Sequence, residues 1–155
     1  MVSFKNLRFS FIVLALASGV FFAAGCQSTP SNADRHSSHT LTAYANSSWV
    51  LAAWKSDGKK VALPSNPPTL QLGYQGQVSG HAGVNRYFGT VRVNNDNLVW
   101  GDTLASTRMG GDPAQMESEV RFMTDLPKTT EVTVRSGRLI FTGKGVRLEF
   151  VRSMP

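Results

Sequence analysis

The stretch "TEVTVRSGRLIFTGKGVRLEFVRS", Thr130 to Ser153, carries the strongest periodic signal in the chain. Val132 and Val134 alternate with charged and hydroxyl partners, Ser136-Gly137 interrupts, and Leu139 and Phe141 resume the apolar side. Gly143 to Gly145 form the next break. Val146, Leu148 and Phe150 then alternate with Arg147, Glu149 and Arg152, Val151 being the exception. A period of two sends successive side chains to opposite faces. The segment therefore reads as three antiparallel strands joined by tight turns, with one face buried.

Upstream, the same reading extends to most of the chain. In "SSWVLAAW", Trp49, Leu51 and Ala53 alternate with Ser48, Val50 and Ala52, which predicts an opening strand. "SDGKK" follows as a turn around Asp57-Gly58, and "SNPP" is a proline-rich connection. "TLQLGY" alternates Leu70, Leu72 and Tyr74 against polar partners. "GTVRVNNDNLVWG" holds two strand-like runs around an Asn/Asp turn. One segment differs. "GGDPAQMESEVRFMTDLPK" has Asp112 as N-cap, Pro113 at N1 and Gln115 at N3, a capping-box pattern. Met116, Val120, Met123 and Leu126 fall near one stripe, with Glu117, Glu119 and Arg121 expected to face elsewhere and Pro127 ending the helix. Glu117 and Glu119 are read as complementing the helix dipole. The fold class expected is mainly β: an antiparallel, closed or partly closed barrel-like sheet of about 7–8 strands with one packed α-helix.

The amino terminus speaks to location. Lys5 and Arg8 precede an uncharged apolar run from Phe9 to Gly25, ending in small residues before Cys26, the only cysteine. A run of this length is also compatible with a short membrane span. "AAGC", however, resembles a bacterial lipobox, with Ala23 where leucine is the commoner residue. That resemblance implies cleavage before Cys26 and its lipidation. Gln27, in place of the aspartate that retains lipoproteins in the inner membrane, implies the outer membrane, periplasmic side. The expected organisation is residues 1–25 as signal peptide, 26–46 as a flexible tether carrying the lipid, and 47–155 as one domain. The tether is rich in Ser, Thr and Asn and poor in large apolar residues, too little to offset its ordering entropy. His36 and His39 lie in it without the further ligands and rigid frame a metal site needs. An acylated Cys26 leaves no thiol for a disulfide.

The formal net charge is +6; Lys5 and Arg8 leave with the signal, so 14 basic side chains remain against 10 acidic. That excess suits a neighbourhood of anionic lipid, lipopolysaccharide or wall polymer, and an exported protein meets little nucleic acid. It is equally ordinary for a soluble domain, so it counts as solubility and weak surface attraction.

The segment most open to a functional reading is "SGHAGVNRYFGTV", Ser79 to Val91. Ser79 and His81 share a face if they lie on a strand, but no nucleophile elbow or matching acid accompanies them. Gly80, Gly83 and Gly89 match no phosphate or dinucleotide loop, because no strand–loop–helix follows. They are read as supplying positive φ or close backbone approach in a sharp corner. Asn85 suits the bonding of neighbouring backbone in that corner. Tyr87 and Phe88 point to opposite faces, one to the core. Arg86, Arg92 and Arg108 are candidates for a surface that receives an anionic partner, although most such charges are simply solvated.

Taken together, these elements resemble the META domain family of HslJ-like bacterial lipoproteins. The resemblance runs from about Ser47 to Ser153. It rests on the opening "SSWVL", the core "GHAGVNRYFG", the segment "LASTRMGG", a helix carrying E-x-x-F, and the closing "GRLIF…VRLEF" hairpin. The family motif maps onto Gly80, Gly83, Asn85, Arg86, Tyr87, Gly89, Thr107 and Met109, positions read as structural. Many members carry a cysteine where this chain has Val84, and a second where it has Gly110 or Gly111. Joint loss of both implies a structural disulfide given up, leaving Val84 to hold the corner by apolar packing. The resemblance further implies a monomeric, non-catalytic protein without cofactor, concerned with envelope maintenance or with stress and antibiotic tolerance. It would act by binding an envelope protein or anionic envelope component. Two alternatives stand beside it: a pilot or chaperone-like lipoprotein holding an apolar peptide or acyl chain in the barrel, and an envelope-polymer hydrolase.

Overall fold

Eight antiparallel strands close on themselves, because the last strand of the chain pairs with the first. The computed structural model describes residues 44–94 and 97–153, all within the second of two units, Met1–Ser31 and Asn32–Pro155. The signal, Cys26, His36 and His39 lie outside the described residues. The strands are β1 (Ser47–Ser56), β2 (Lys59–Lys60), β3 (Thr69–Leu72), β4 (Gln77–His81) and β5 (Arg86–Asn94). After them come β6 (Asn97–Trp100), β7 (Ala105–Ser106), β8 (Glu131–Arg135), β9 (Arg138–Gly143) and β10 (Val146–Arg152). The ring runs β10-β9-β8-β6-β5-β4-β3-β1 and returns to β10, while the two-residue β2 and β7 attach to β1 and β5. One α-helix, α1 (Pro113–Asp125), continues into a 3₁₀ turn at Leu126–Lys128.

Local chemistry sets the hairpins. Asp57-Gly58, Ser136-Gly137 and Lys144-Gly145 are two-residue loops with both φ angles positive. That is the type I′ geometry whose twist matches the flanking strands. Period-two patterning then sends Leu139, Phe141, Leu148 and Phe150 into the barrel, where they meet Trp49, Leu51, Trp54, Leu70 and Tyr87. Rings pack edge to face, Phe141 against Phe150 at 5.7 Å and Trp100 against Phe141 at 6.0 Å. Each large side chain removed from water contributes about 1.5–3 kcal/mol.

The structure departs from the sequence reading at three places. In β1 the alternation breaks: Leu51 lies opposite Phe150 and Ala53 opposite Glu149, with Ala52 extra. This bulge turns Trp54 into the core instead of Ala53. The burial of an indole outweighs the regularity of the ladder.

The tether also ends earlier than expected. The Tyr44 ring packs on Trp49 at 5.5 Å, Asn46 N–H donates to Leu72 O at 2.7 Å, and Ser47 Oγ donates to Tyr44 O. Residues 44–46 thus belong to the folded domain.

Helix α1 is the third. Asp112 caps it, accepting from Ala114 N and Gln115 N at 3.0 and 3.1 Å, with Pro113 at N1. Its buried face, however, is Glu119, Phe122 and Asp125, followed by Leu126, while Met116 is exposed and Val120 is 66% exposed. The first turn holds no acidic residue, so Glu117 and Glu119 do not serve the helix dipole. The helix is rotated relative to its apolar stripe because carboxylates are needed below it. Asp125 accepts from the Trp54 indole N–H at 3.1 Å and from Lys128 at 2.9 Å. A buried donor left alone costs about 1–3 kcal/mol, as much as burying a valine yields.

Candidate functional site

β4 and β5 are joined by the four residues Ala82 to Asn85, closed by Ala82 N–H donating to Asn85 O at 2.9 Å. Asn85 is 3% exposed, and each polar position of its amide is occupied. Its Oδ1 accepts from Thr107 Oγ1 at 2.8 Å and Met109 N at 2.7 Å. Its Nδ2 donates to Met109 O at 3.1 Å and to Glu119 Oε1 at 2.9 Å. Its backbone N–H donates to Glu119 Oε2 at 2.6 Å, and Val84 N–H reaches the same oxygen at 2.9 Å. One carboxylate from α1 therefore receives three N–H groups from the corner. Asn85 in turn clasps the 107–109 segment.

Glycine lets these parts approach. Gly83 has φ +157°, and a Cβ there would meet Gln115 O at 3.0 Å and Glu119 Cβ at 3.3 Å, so the helix rests directly on it. A Cβ at Gly80, within β4, would lie 2.1 Å from Thr69 O and 2.9 Å from the Tyr87 ring. Gly89 sits in β5 against Leu104 and Thr103. Close approach is thus the common requirement of the three, and only Gly83 has positive φ.

The remaining motif residues serve the same frame. Tyr87 is fully buried, donating its hydroxyl to Thr69 O at 2.8 Å, with its ring 5.7 Å from Phe122; desolvation pushes its phenol well above the ordinary range. Phe88, next to it, is 52% exposed. Thr107 is tied to the Arg86 backbone by two hydrogen bonds: Arg86 N–H donates to Thr107 Oγ1 at 3.2 Å, and Thr107 N–H donates to Arg86 O at 3.0 Å. The Met109 side chain is exposed, so its backbone does the bonding.

Thr107, the neighbour of Arg108 in the chain, is tied to Arg86, whereas Arg92 lies far along the strand. Arg86 and Arg92 are six residues apart on β5, about 20 Å along the strand. The three arginines do not form one patch. Ser79 and His81 do share the outer face of β4, half-exposed, yet Ser79 Oγ donates to Gln71 Oε1 at 3.3 Å. His81 Nδ1 is enclosed without a partner, where a catalytic base needs an orienting acid.

Glu119 is the residue that sequence reasoning misplaced. The signal was the E-x-x-F spacing, which puts Glu119 and Phe122 three apart on one helical face. Phe122 packs on Trp54 and Tyr87, so Glu119 must also face inward. Val84 is only half-buried, and the corner is held chiefly by these hydrogen bonds instead of by apolar packing. A Cβ on Gly111 would lie 3.2 Å from Val84 Cβ, whereas one on Gly110 would meet nothing within 4 Å. Positions 84 and 111 therefore face each other at close to the spacing of a disulfide pair.

Beside the clasp, a groove of about 440 Å³ is bordered by Leu104, Ser106, Glu119 and Met123. Both Glu119 oxygens are engaged by the corner, Oε2 with two N–H groups and Oε1 with one, so most of its acceptor capacity is spent there. Among the described residues no group of three or more His, Cys, Asp or Glu side chains could hold a metal ion, and no helix is long and apolar enough to cross a membrane.

The sequence profile of the META domain matches residues 40–155. Among solved structures, a protein from Burkholderia xenovorans determined by NMR shares 31% identity at a TM-score of 0.62, over 74% of this chain and 87% of that one. A second NMR structure, at 24% identity and TM-score 0.56, covers 72% of this chain and 93% of that one and shares the fold. No curated protein matches the chain.

Proposed function

The chain belongs to the META domain family, and from that premise we propose that it is a lipid-anchored, non-catalytic protein of the bacterial outer membrane, working in envelope maintenance or stress tolerance by binding or scaffolding. The observation that carries this reading is the Asn85–Glu119 clasp. The motif spends its polar groups on fixing the corner, the 107–109 segment and the helix to one another. A motif so committed supports a presenting scaffold more than a reaction centre. The interior filled by Trp49, Trp54, Tyr87, Phe122, Phe141 and Phe150 speaks against the alternative of an acyl chain or peptide carried in the barrel. The unpartnered His81 Nδ1 speaks against the hydrolase.

The anchor part of the proposal rests on "AAGC" and Gln27. Cys26→Ser is expected to release the protein from the membrane fraction of cells, and retention of the variant there would overturn the lipobox assignment. The binding part is tested by crosslinking and pull-down of the lipidated protein from native envelopes. A co-purifying envelope protein or polymer is the expected result; recovery of the protein alone sinks the scaffold reading.

A further inference from the structure

The outer face of β2, β1 and β10 holds a row of cations that the sequence could not reveal. Lys60 lies opposite Lys55, and Lys55 lies opposite Arg147 on its other side. Directly opposed residues point to the same face with Cβ atoms about 5 Å apart, and like charges so placed are destabilising. The two lysines are exposed and have no ion-pair partner among the described residues. Arg147 reaches Glu149 at 2.8 Å, but Arg138 approaches the same carboxylate at 3.9 Å. One acid thus serves two guanidiniums. At the other end of the barrel Arg138 stands opposite Arg135, a second like-charge pair on the same face. β5, which carries Arg86, lies four strands from β10 round the ring, so this face is distinct from that of the motif.

A cost met twice on one face, offset there only by Glu149 and not at all for Lys55 and Lys60, calls for a partner outside the molecule. The face is the outside of a closed barrel, and both β1 and β10 have their backbones paired on each side, so no edge invites an added strand. The row offers no exposed aromatic ring on which a nucleobase could stack. Level with Arg138, Val151 lies opposite that arginine on one side and Val50 on the other, both valines half-buried. Cations with short apolar side chains beside them suit the head-group level of a membrane, where the charges meet phosphates. We infer that the β2–β1–β10–β9 face docks the domain flat onto an anionic lipid surface, Lys60, Lys55 and Arg147 engaging phosphate head groups. The inference builds on the envelope location proposed above, and it adds an orientation that an anchor and tether alone do not impose.

The test uses the full chain with vesicles of phosphatidylcholine alone and with about a third of the lipid replaced by phosphatidylglycerol. Any apolar anchor contributes to both, so the readout is the ratio of binding to the two vesicle types, measured by co-sedimentation. Near an anionic leaflet each Lys or Arg is worth roughly a fivefold gain in partitioning. The triple variant Lys55→Gln, Lys60→Gln, Arg147→Gln should therefore lose about a hundredfold of the anionic preference, without a lower melting temperature because repulsion is relieved. Wild-type preference should fade in about 0.5 M salt as the Debye length shrinks. Equal binding of the wild type to both vesicles, or an anionic preference that survives in the triple variant, overturns the inference. Preference for immobilised polyglutamate over anionic vesicles overturns it in favour of an acidic protein partner. Loss of membrane retention in Cys26→Ser cells bears on the anchor and leaves this ratio unaffected.

Discussion

Replacing Glu119 with glutamine removes a charge and almost no volume, and it isolates what the clasp contributes. In the native corner, Oε2 receives Val84 N and Asn85 N while Oε1 receives Asn85 Nδ2. A glutamine carbonyl can keep the two backbone bonds at neutral strength, but its NH₂ group must then face the Asn85 NH₂ group. Asn85 cannot turn over to help, because its Oδ1 already accepts from Thr107 and Met109. One bond is lost with a donor left buried, about 1–3 kcal/mol, and two are weakened from charge-assisted to neutral. Relief of the desolvation of a buried carboxylate offsets part of this. The net expectation is a loss of about 2–3 kcal/mol. In a urea titration followed by tryptophan fluorescence, that moves the midpoint down by about 1–2 M at an ordinary slope. Glu117→Gln, at a side chain 79% exposed, should stay within about 0.5 kcal/mol of wild type. A double-mutant cycle with Asn85→Ala should give a coupling of about 1 kcal/mol or more. An unchanged midpoint for Glu119→Gln, or an equal loss for Glu117→Gln, would refute the view that Glu119 holds the helix to the corner.

Two further expectations concern the same region. The double variant Val84→Cys, Gly111→Cys, made with Cys26→Ser, should form a disulfide spontaneously. Closing a loop of about 28 residues contributes roughly 3–4 kcal/mol in the chain-entropy model, so reduction should lower the melting temperature by about 10 °C. Free thiols remaining after air oxidation would show that 84 and 111 do not face each other. Gly111→Ala alone should destabilise, since its Cβ would meet Val84 Cγ2 at 2.6 Å, while Gly110→Ala should be tolerated; equal melting temperatures would contradict the packing. Tyr87 predicts alkaline sensitivity. Burial raises its phenol pKa in the folded state, so above pH 10 the unfolded chain loses a proton that the folded chain keeps. Stability should then fall by about 1.4 kcal/mol per pH unit from this one group. Lys128, raised chiefly by its hydrogen bond to Asp125, acts in the same direction, so Tyr87→Phe should flatten the alkaline loss without abolishing it. An identical slope in the two proteins would exclude Tyr87 as a source.

Much of the barrel was legible in the chain because strand alternation and turn chemistry are local. Ser136-Gly137 and Lys144-Gly145 fix their hairpins within a few residues, and Asp112-Pro113 starts the helix wherever it packs. The helix face was not legible, since Met116 and Val120 offer as good an apolar stripe as the one used. What selects Glu119, Phe122 and Asp125 is the set of N–H donors at Trp54, Val84 and Asn85, 34 to 71 residues away in sequence. The bulge at Ala52 was hidden for a related reason, its cause being the partner strand β10.

The sequence by itself therefore determined most of the long strands and their turns, the helix start and, through "GHAGVNRYFG" with "LASTRMGG", the family. Those features depend on dihedral preference and on side-chain period, which neighbouring residues settle among themselves. Tertiary structure alone decided that Asn85, Thr107, Met109 and Glu119 form one clasp, and that Val84 faces Gly111. It also decided that Lys60, Lys55 and Arg147 stand side by side although up to 92 positions separate them in the chain. Hydrogen-bond satisfaction and charge adjacency are pairwise properties of distant residues, and they come into existence only when the ring closes.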